Sequence, residues 1–254
     1  MSNEQDSIAK IFAAQITELA ERSMKRQEPE WTDFLDPEAR EQAQAILAWV
    51  TGTRFQTFGG YSKSERARLV IYPDYYLTET IEPALVFLEI TVNSLEPLTH
   101  RDYLGALMGL GLKREKIGDL LVNNESCQVI MHPDLAEYVI LNLDKVGNTK
   151  AKIKLIEPEQ LNLPQMRTKE IRTTVASLRL DALAALGFGD SRTKMAREIK
   201  AERLKVNWKT VNDPDYQVNL GDIISMRGRG RVILQELTGR SKKGRLGVIL
   251  VRFL

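Results

Sequence analysis

Cysteine is nearly absent from this 254-residue chain: Cys127 stands alone, so no intrachain disulfide can form. With only His100 and His132 in addition, the side chains that complete a zinc site are too few. No apolar run approaches the roughly 18 residues that a membrane-spanning helix needs, and the polar, acidic N-terminus does not read as a signal peptide. We therefore expect no metal, no membrane insertion and a reducing, cytoplasmic location.

The motifs of common enzyme classes are missing as well. The sequence contains no GxGxxG before a predicted helix, no phosphate-binding loop ending in Gly-Lys-Ser/Thr, no HExxH and no credible Ser-His-Asp or Cys-His set. We expect no catalytic residue, no cofactor and no enzymatic activity.

Charge is divided unevenly along the chain. The formal net charge is only +2, but residues 165–254 hold 19 Lys and Arg against 9 Asp and Glu, whereas residues 1–164 hold 17 against 25. A segment with that basic surplus attracts a polyanion, and folded RNA is the commonest large one in the cytoplasm. Insertion into an anionic membrane is disfavoured because the basic residues lack a long apolar helical face.

Residues 1–80 are predicted to form a helical region with one short strand. Apolar residues recur at helical spacing between positions 7 and 20. A second helix is predicted to begin with Asp36 as N-cap and Pro37 at its first position. Residues 68–72 favour a strand that Pro73 ends.

Residues 81–160 are predicted to form a β-α-β-β-α-β domain. A capping box of Thr99 and Asp102 opens the first helix and Pro133 opens the second. This order is typical of ferredoxin-like and RNA-recognition folds, in which two helices cover one face of a four-stranded sheet. The sheet lacks paired exposed aromatic residues, so we do not expect bases to stack on it. The predicted strands are 85–92, 117–122, 128–131 and 151–155.

Prolines between Glu157 and Lys169 indicate a linker, and residues 170–254 are predicted to form a third domain. Its first helix is predicted to have Ser177 as N-cap and to end at the glycines at 187 and 189, and its second to open at Ser191. Residues 204–209 alternate apolar and polar side chains, which favours one strand with Trp208 on the apolar side.

Several motifs of this third domain resemble those of the S4 RNA-binding domain. They occur in the S4 order: Arg179-Leu-Asp, Ser191-Arg, Ala196-Arg-Glu-Ile-Lys, Val206-Asn, Asp213-Pro and Gly221-Asp-Ile. S4 domains often have Gly after the Val-Asn pair, where this chain has Trp208. The resemblance implies that the domain binds structured RNA.

The rest of the chain resembles the YlmH-like S4 proteins. His100 to Asp119 is similar to the middle-domain signature of that family, and Phe34-Leu-Asp-Pro and Gly59-Gly-Tyr fit its N-terminal part. The sequence looks closest to the photosystem II S4 branch of oxygenic phototrophs. Membership implies an α+β fold and binding to rRNA or tRNA on the ribosome, and the family is linked to the large subunit and to rescue of stalled, peptidyl-tRNA-bearing complexes.

Basic residues of the S4-like segment are the candidate RNA contacts. Such side chains reach phosphates and sugars and read the shape of the RNA more than its sequence. In the first part of the domain they are Arg179, Arg192, Lys194, Arg197, Lys200, Arg203, Lys205 and Lys209; a predicted basic loop adds Arg227, Arg229 and Arg231. A secondary contact is predicted in the middle domain, at Lys113, Arg114 and Lys116.

Two other functions stay open. Arg179-Leu-Asp181 resembles the motif in which pseudouridine synthases carry their catalytic Asp, but here Ala-Leu-Ala-Ala-Leu follows it, and Asp181 reads as an acidic residue in the first turn of a helix. The branch resemblance alone suggests a factor in photosystem II assembly. The sequence leaves the RNA, the requirement for a stalled ribosome, the role of the acidic parts and the oligomeric state undetermined.

Overall fold

The computed structural model describes residues 2–94, 96–163, 168–241 and 244–253. The fold is α+β, with N-terminal helices, a central sheet domain and a C-terminal helix pair on a second large sheet. The chain divides into two compact units, residues 1–164 and residues 165–254. Across these described ranges, no helix combines the length and the apolar character needed to cross a membrane.

The N-terminal part packs two helices on a three-stranded sheet. The predicted N-cap is confirmed, since the Asp36 side chain accepts a hydrogen bond from the Ala39 amide at 2.9 Å. The first helix is longer than predicted. Ile8 and Ile11 in its early turns are exposed, and its buried side chains begin at Ile16. The elements are α1 (Ser2–Arg26), β1 (Glu30–Trp31), α2 (Pro37–Leu47), β2 (Thr53–Phe58) and β3 (Arg68–Pro73).

Strand β3 is the centre of this small sheet, between β1 and β2. All six of its residues are buried, and its end at Pro73 agrees with the prediction. Strands β1 and β2 are not among the predicted ones. Their side chains are only half buried or exposed, so the sequence there carries a weak apolar pattern.

The middle domain has the predicted β-α-β-β-α-β order with one short strand, Lys145–Val146, added before the last, so its sheet has five strands and not the predicted four. Its sheet order is β5-β6-β4-β8-β7, all pairs antiparallel, and both helices pack on one face through a core that includes Tyr103, Leu107 and Val139. The capping box is present, with the Thr99 amide donating to Asp102 at 2.8 Å. The elements are β4 (Val86–Val92), α3 (His100–Gly109), β5 (Ile117–Val122), β6 (Ser126–Met131), α4 (Ala136–Asn142), β7 (Lys145–Val146) and β8 (Thr149–Ile156).

The C-terminal unit places two short helices on a six-stranded sheet of order β11-β10-β12-β13-β14-β9. Its first strand begins at Thr168, near the end of the predicted linker at 157–169. Residues 164–167 of that linker lie outside the described residues. The elements are β9 (Thr168–Val175), α5 (Leu180–Phe188), α6 (Arg192–Lys200), β10 (Leu204–Val206), β11 (Lys209–Thr210), β12 (Ile223–Met226), β13 (Gly230–Arg240) and β14 (Leu246–Phe253).

Two predictions for this unit are wrong in detail. The N-cap of α5 is Arg179, not Ser177, because the first helical amides donate to the loop carbonyls of Tyr216 and Pro214, at 2.9 and 3.1 Å. These tertiary hydrogen bonds replace a local side-chain cap. The predicted strand 204–209 is broken by a turn, which is described below.

Candidate RNA interface

Helix α6 separates its apolar and basic side chains as predicted. Met195 and Ile199 are fully buried, while Arg197 and Lys200 are exposed. The helix begins where α5 ends at Gly189 in the left-handed conformation (φ 67°), and the Ser191 side chain accepts from the Lys194 amide at 3.2 Å. These caps hold the basic side of α6 in a fixed orientation on its own sheet.

The candidate contacts divide by whether the protein already neutralises them. Arg203 is paired with Glu198 at 2.9 Å. Lys209 and Arg231 also interact with other residues. Among the candidate contacts, the exposed cations whose side chains make no hydrogen bond or ion pair with any described residue are Arg197, Lys200, Lys205 and Arg227. A cation without an internal carboxylate is available to a phosphate, so these four are the candidates most available to RNA.

Asp181 organises the start of the interface. Its side chain is only 7% exposed and accepts from Arg192 at 2.8 Å and from Arg179 at 3.2 Å. Burial on its own raises the pKa of Asp181, but the hydrogen bonds from the two guanidinium groups outweigh it and hold the pKa below its ordinary value. Arg179 also pairs with Asp215. The carboxylate is therefore a structural anion, and these two arginines are partly neutralised.

Asp190, between the two helices, is a second carboxylate that holds two cations. Its carboxylate is paired with Arg229 and, at 2.9 Å, with Lys194. These hydrogen bonds, the one from Arg229 first, lower the pKa of Asp190 to about 2. Arg229 also donates to the carbonyl of Phe188 at 2.9 Å, where a cation satisfies the end of a helix. The sequence alone does not show that Asp181 and Asp190 are centres of ion pairing, because partners such as Arg192 and Arg229 lie 11 and 39 positions away in the chain.

The predicted basic loop is the tight turn between β12 and β13. Arg227 is exposed at its tip, Arg229 points back to the helices, and Arg231 already belongs to β13. Gly230 has φ 85°, and a Cβ there would lie 2.9 Å from the carbonyl oxygen of Phe253. The close backbone approach explains why glycine is needed at this position. Of the three arginines, Arg227 is the one presented to solvent without a described partner.

A second turn joins β10 to β11, at Asn207 and Trp208. Both residues have positive φ, 47° and 66°, which is the requirement of the tight hairpin turn that favours Asn-Gly. Asn207 is clamped, since its side chain donates to Asp222 at 2.7 Å and accepts from the Ile223 amide at 2.9 Å. Trp208 therefore lies in the turn. The prediction that it is the last apolar residue of a strand is wrong. A bulky residue at positive φ is strained.

The predicted secondary contact in the middle domain is largely engaged inside the first unit. Lys116 is paired with Asp33 at 2.5 Å. Arg114 donates to the carbonyls of Ile117 and Gly118, and burial, followed by the charge of a neighbouring arginine, lowers its pKa to about 10. Lys113 is exposed. Lys116 thus joins the middle domain to the N-terminal part, and Arg114 is held within the middle domain.

Family models match three successive segments of the chain. The model described as "YlmH, N-terminal" matches residues 9–76, the "Putative RNA-binding domain in YlmH" matches residues 84–160, and the "S4 domain" matches residues 178–224. The chain is 37% identical over 225 residues to the "Ribosome-associated protein quality control protein P2" of Bacillus subtilis (strain 168), covering 87% of this chain and 86% of that protein. The chain belongs to the YlmH family.

Two further similarities concern the fold and the S4 segment. The structure is similar to "Cell division protein ylmH from Streptococcus pneumoniae" with a TM-score of 0.53 and 22% identity, over 60% of this chain and 94% of that one. At that identity the likeness concerns the YlmH fold. A shorter match, 41% identical over 46 residues, is to the "Small ribosomal subunit protein uS4" of Saccharophagus degradans, covering 18% of this chain and 22% of that protein.

Proposed function

We propose that this YlmH-family protein is a non-catalytic RNA-binding protein that docks on structured rRNA or tRNA through its S4 domain and associates with the ribosome. The observation that carries the proposal is a group of exposed candidate cations whose side chains have no described partner, Arg197, Lys200, Lys205 and Arg227, in a unit with a net charge of +10. The printed name of the Bacillus subtilis relative, a ribosome-associated quality control protein, supports the ribosome as the source of that RNA.

The remaining candidate contacts take a supporting role in this proposal. Each except Lys113 has a side-chain interaction within the protein, and a cation beside an internal partner still adds to the positive field that attracts RNA. They are Arg179, Arg192, Lys194, Arg203, Lys209, Arg229 and Arg231 in the S4 unit, with Lys113, Arg114 and Lys116 as the secondary contact.

A filter-binding titration of the full chain against in vitro transcribed 23S rRNA over a salt series tests the proposal. Each phosphate contact contributes roughly −0.7 to −0.9 to the slope of log affinity against log salt. Arg197→Glu with Lys200→Glu removes two contacts, so we expect the slope to become shallower by about 1.5. The control is Lys10→Glu with Lys25→Glu, which reverses two exposed charges on α1. A flat wild-type slope, or equal losses in both double variants, contradicts the proposal.

The large subunit and the cytoplasm are the finer parts of this proposal. The family resemblance of the sequence supports the large subunit, and the single cysteine supports a reducing, cytoplasmic location. Sedimentation of the full chain in a cell extract through a sucrose gradient tests the subunit assignment. We expect the protein to migrate with large ribosomal subunits. Migration only with small subunits or with free protein contradicts the large-subunit assignment.

We also propose that the chain belongs to the photosystem II S4 branch of its family. This proposal rests on the sequence resemblance, and a role in assembling photosynthetic complexes depends on it. Co-sedimentation with membranes favours that role, whereas co-sedimentation with ribosomes favours translation.

The alternative function is pseudouridine formation. The position of Asp181 between two arginines supports a structural role for its carboxylate. If the wild type yields modified RNA and Asp181→Asn does not, that result contradicts a non-catalytic protein.

A further inference from the structure

Strand β8 carries a row of lysines on the face of the middle sheet that the helices leave uncovered. Ala151 and Ile153 pack towards the helices, so the alternate positions Lys150, Lys152 and Lys154 point to the opposite side, and all three are exposed. Alternate residues of a strand are about 6.7 Å apart, so Lys150 to Lys154 extend over about 13 Å.

Strand β7 adds a fourth lysine to the same face. Lys145 lies directly opposite Lys150 in the antiparallel register, and both are exposed. Like charges in directly opposite positions destabilise a sheet. The chain nevertheless places two ammonium groups there, so the pair favours a role other than stability.

Carboxylates compensate for only one of the four lysines. Lys154 is paired with Glu89 of β4 at 2.7 Å, and the residue opposite Lys152 is Thr91, which is exposed and uncharged. The side chains of Lys145, Lys150 and Lys152 make no hydrogen bond or ion pair within the part of the chain that the structure describes. We call Lys145, Lys150, Lys152 and Lys154 the lysine row.

The lysine row stands out against the charge around it. Residues 1–164 have a net charge of −8, so a local excess of lysine is not a consequence of composition. The other basic cluster of the middle domain, at residues 113–116, is mostly occupied by internal hydrogen bonds and an ion pair. The lysine row is thus the larger set of unneutralised cations in the middle domain as described.

We propose that the lysine row is a second RNA-binding surface that contacts the phosphate backbone of folded or duplex RNA. Lysine is a point charge that binds phosphate without reading bases, and the flat, polar face around Thr91 offers no aromatic platform for an unstacked base. The inference rests on the proposed function, because it assigns one further contact surface of the same RNA-binding protein.

The test compares double variants of the full chain in the same salt-series titration against in vitro transcribed 23S rRNA. Lys150→Glu with Lys152→Glu should make the slope shallower by about 1.5 and weaken binding roughly tenfold or more at about 0.1 M salt. Lys10→Glu with Lys25→Glu is the matched control, since it changes the net charge equally at exposed lysines of the same unit. Equal weakening by both pairs indicates only the long-range field and overturns the inference.

The S4 variant separates this inference from the proposed function. If Arg197→Glu with Lys200→Glu weakens binding and the lysine-row variant does not, the lysine row is not an RNA surface but the proposed function stands. If neither double variant differs from the control, both fail. Lys150→Gln with Lys152→Gln repeats the test with a milder change and should give a loss in the same direction.

Two further readouts distinguish other roles of the same lysines. Lysines near a sheet edge, such as Lys145 on the edge strand β7, also discourage pairing with another chain, so stronger self-association in light scattering with unchanged RNA affinity overturns the inference. Vesicles of phosphatidylglycerol form the second arm. Vesicle binding that the lysine-row variant loses, with RNA binding unchanged, points to a membrane and also overturns it.

Discussion

Arg229 forms an ion pair with Asp190, 39 positions earlier in the chain, and so joins the turn between β12 and β13 to the break between α5 and α6. The same guanidinium donates to the carbonyl of Phe188 at 2.9 Å. Within the S4 unit, this contact fixes the turn that presents Arg227. Asp190 therefore positions a candidate RNA contact that it does not itself touch.

We predict that Asp190→Asn destabilises the S4 unit at neutral pH and that this effect fades in acid. The native pKa of Asp190 is about 2, lowered by Arg229 and then by Lys194, whereas an unfolded Asp titrates near 3.9. A lowered native pKa contributes stability that is present above about pH 4 and is lost as the pH falls through about 2. Thermal unfolding of both proteins between pH 7 and pH 2 measures the difference.

The matched control for this prediction is Glu202→Gln. Glu202 is exposed, lies in the same unit and has no ion pair with a described residue, so its neutralisation should leave the unfolding temperature nearly unchanged at every pH. A difference between Asp190→Asn and wild type that stays constant down to pH 2 would contradict the assigned pairing.

Trp208 provides a second prediction, which concerns backbone strain. With φ 66° at this position, Trp208→Gly should be more stable than Trp208→Ala by about 1 kcal/mol, because only glycine adopts the left-handed conformation without a steric cost. Both variants lose the indole ring, so their difference isolates the backbone. Chemical denaturation of the two variants measures it.

The same pair of substitutions at Gln217 is the control. Gln217 is exposed and is not among the residues with positive φ, so there alanine should be the more stable of the two. An equal stability of Trp208→Gly and Trp208→Ala would mean that the turn relaxes when the ring is removed, and that the wild-type conformation depends on the indole.

Much of the fold is predictable where the signal is local. The caps at Asp36, Thr99, Gly189 and Ser191 agree with the sequence, because cap chemistry acts over three or four residues. Strand β9 is different. It pairs with β14 along its whole length, from Val175 opposite Leu246 to Thr168 opposite Phe253, and its own sequence is too polar to identify it as a strand.

The candidate RNA interface is likewise predictable where its features depend on nearby residues and not where they depend on long-range packing. Helical periodicity predicts that Arg197 and Lys200 face away from the core, and the structure agrees. It does not predict that Arg229 returns to Asp190, because that partner is chosen by the packing of a hairpin on a helix pair. The break in the predicted strand at Trp208 has a similar cause, since Asp222 and Ile223 hold Asn207 in the turn.

A third prediction separates structural from exposed cations in the middle domain. Arg114→Ala should destabilise the first unit by about 1–3 kcal/mol, because it removes the donor to the buried carbonyls of Ile117 and Gly118. Lys113→Ala, at the neighbouring exposed position, should change stability by no more than about 0.5 kcal/mol. Differential scanning calorimetry of the full chain measures both.

RNA affinity completes this comparison, because Lys113 and Arg114 belong to the same predicted secondary contact. A guanidinium that already donates to two carbonyls has fewer N–H groups free for a phosphate. Lys113→Ala should therefore weaken binding to 23S rRNA at least as much as Arg114→Ala, measured at a temperature where both variants stay folded. A larger loss for Arg114→Ala would mean that RNA displaces Arg114 from its carbonyls, and that the secondary contact forms by rearranging the first unit.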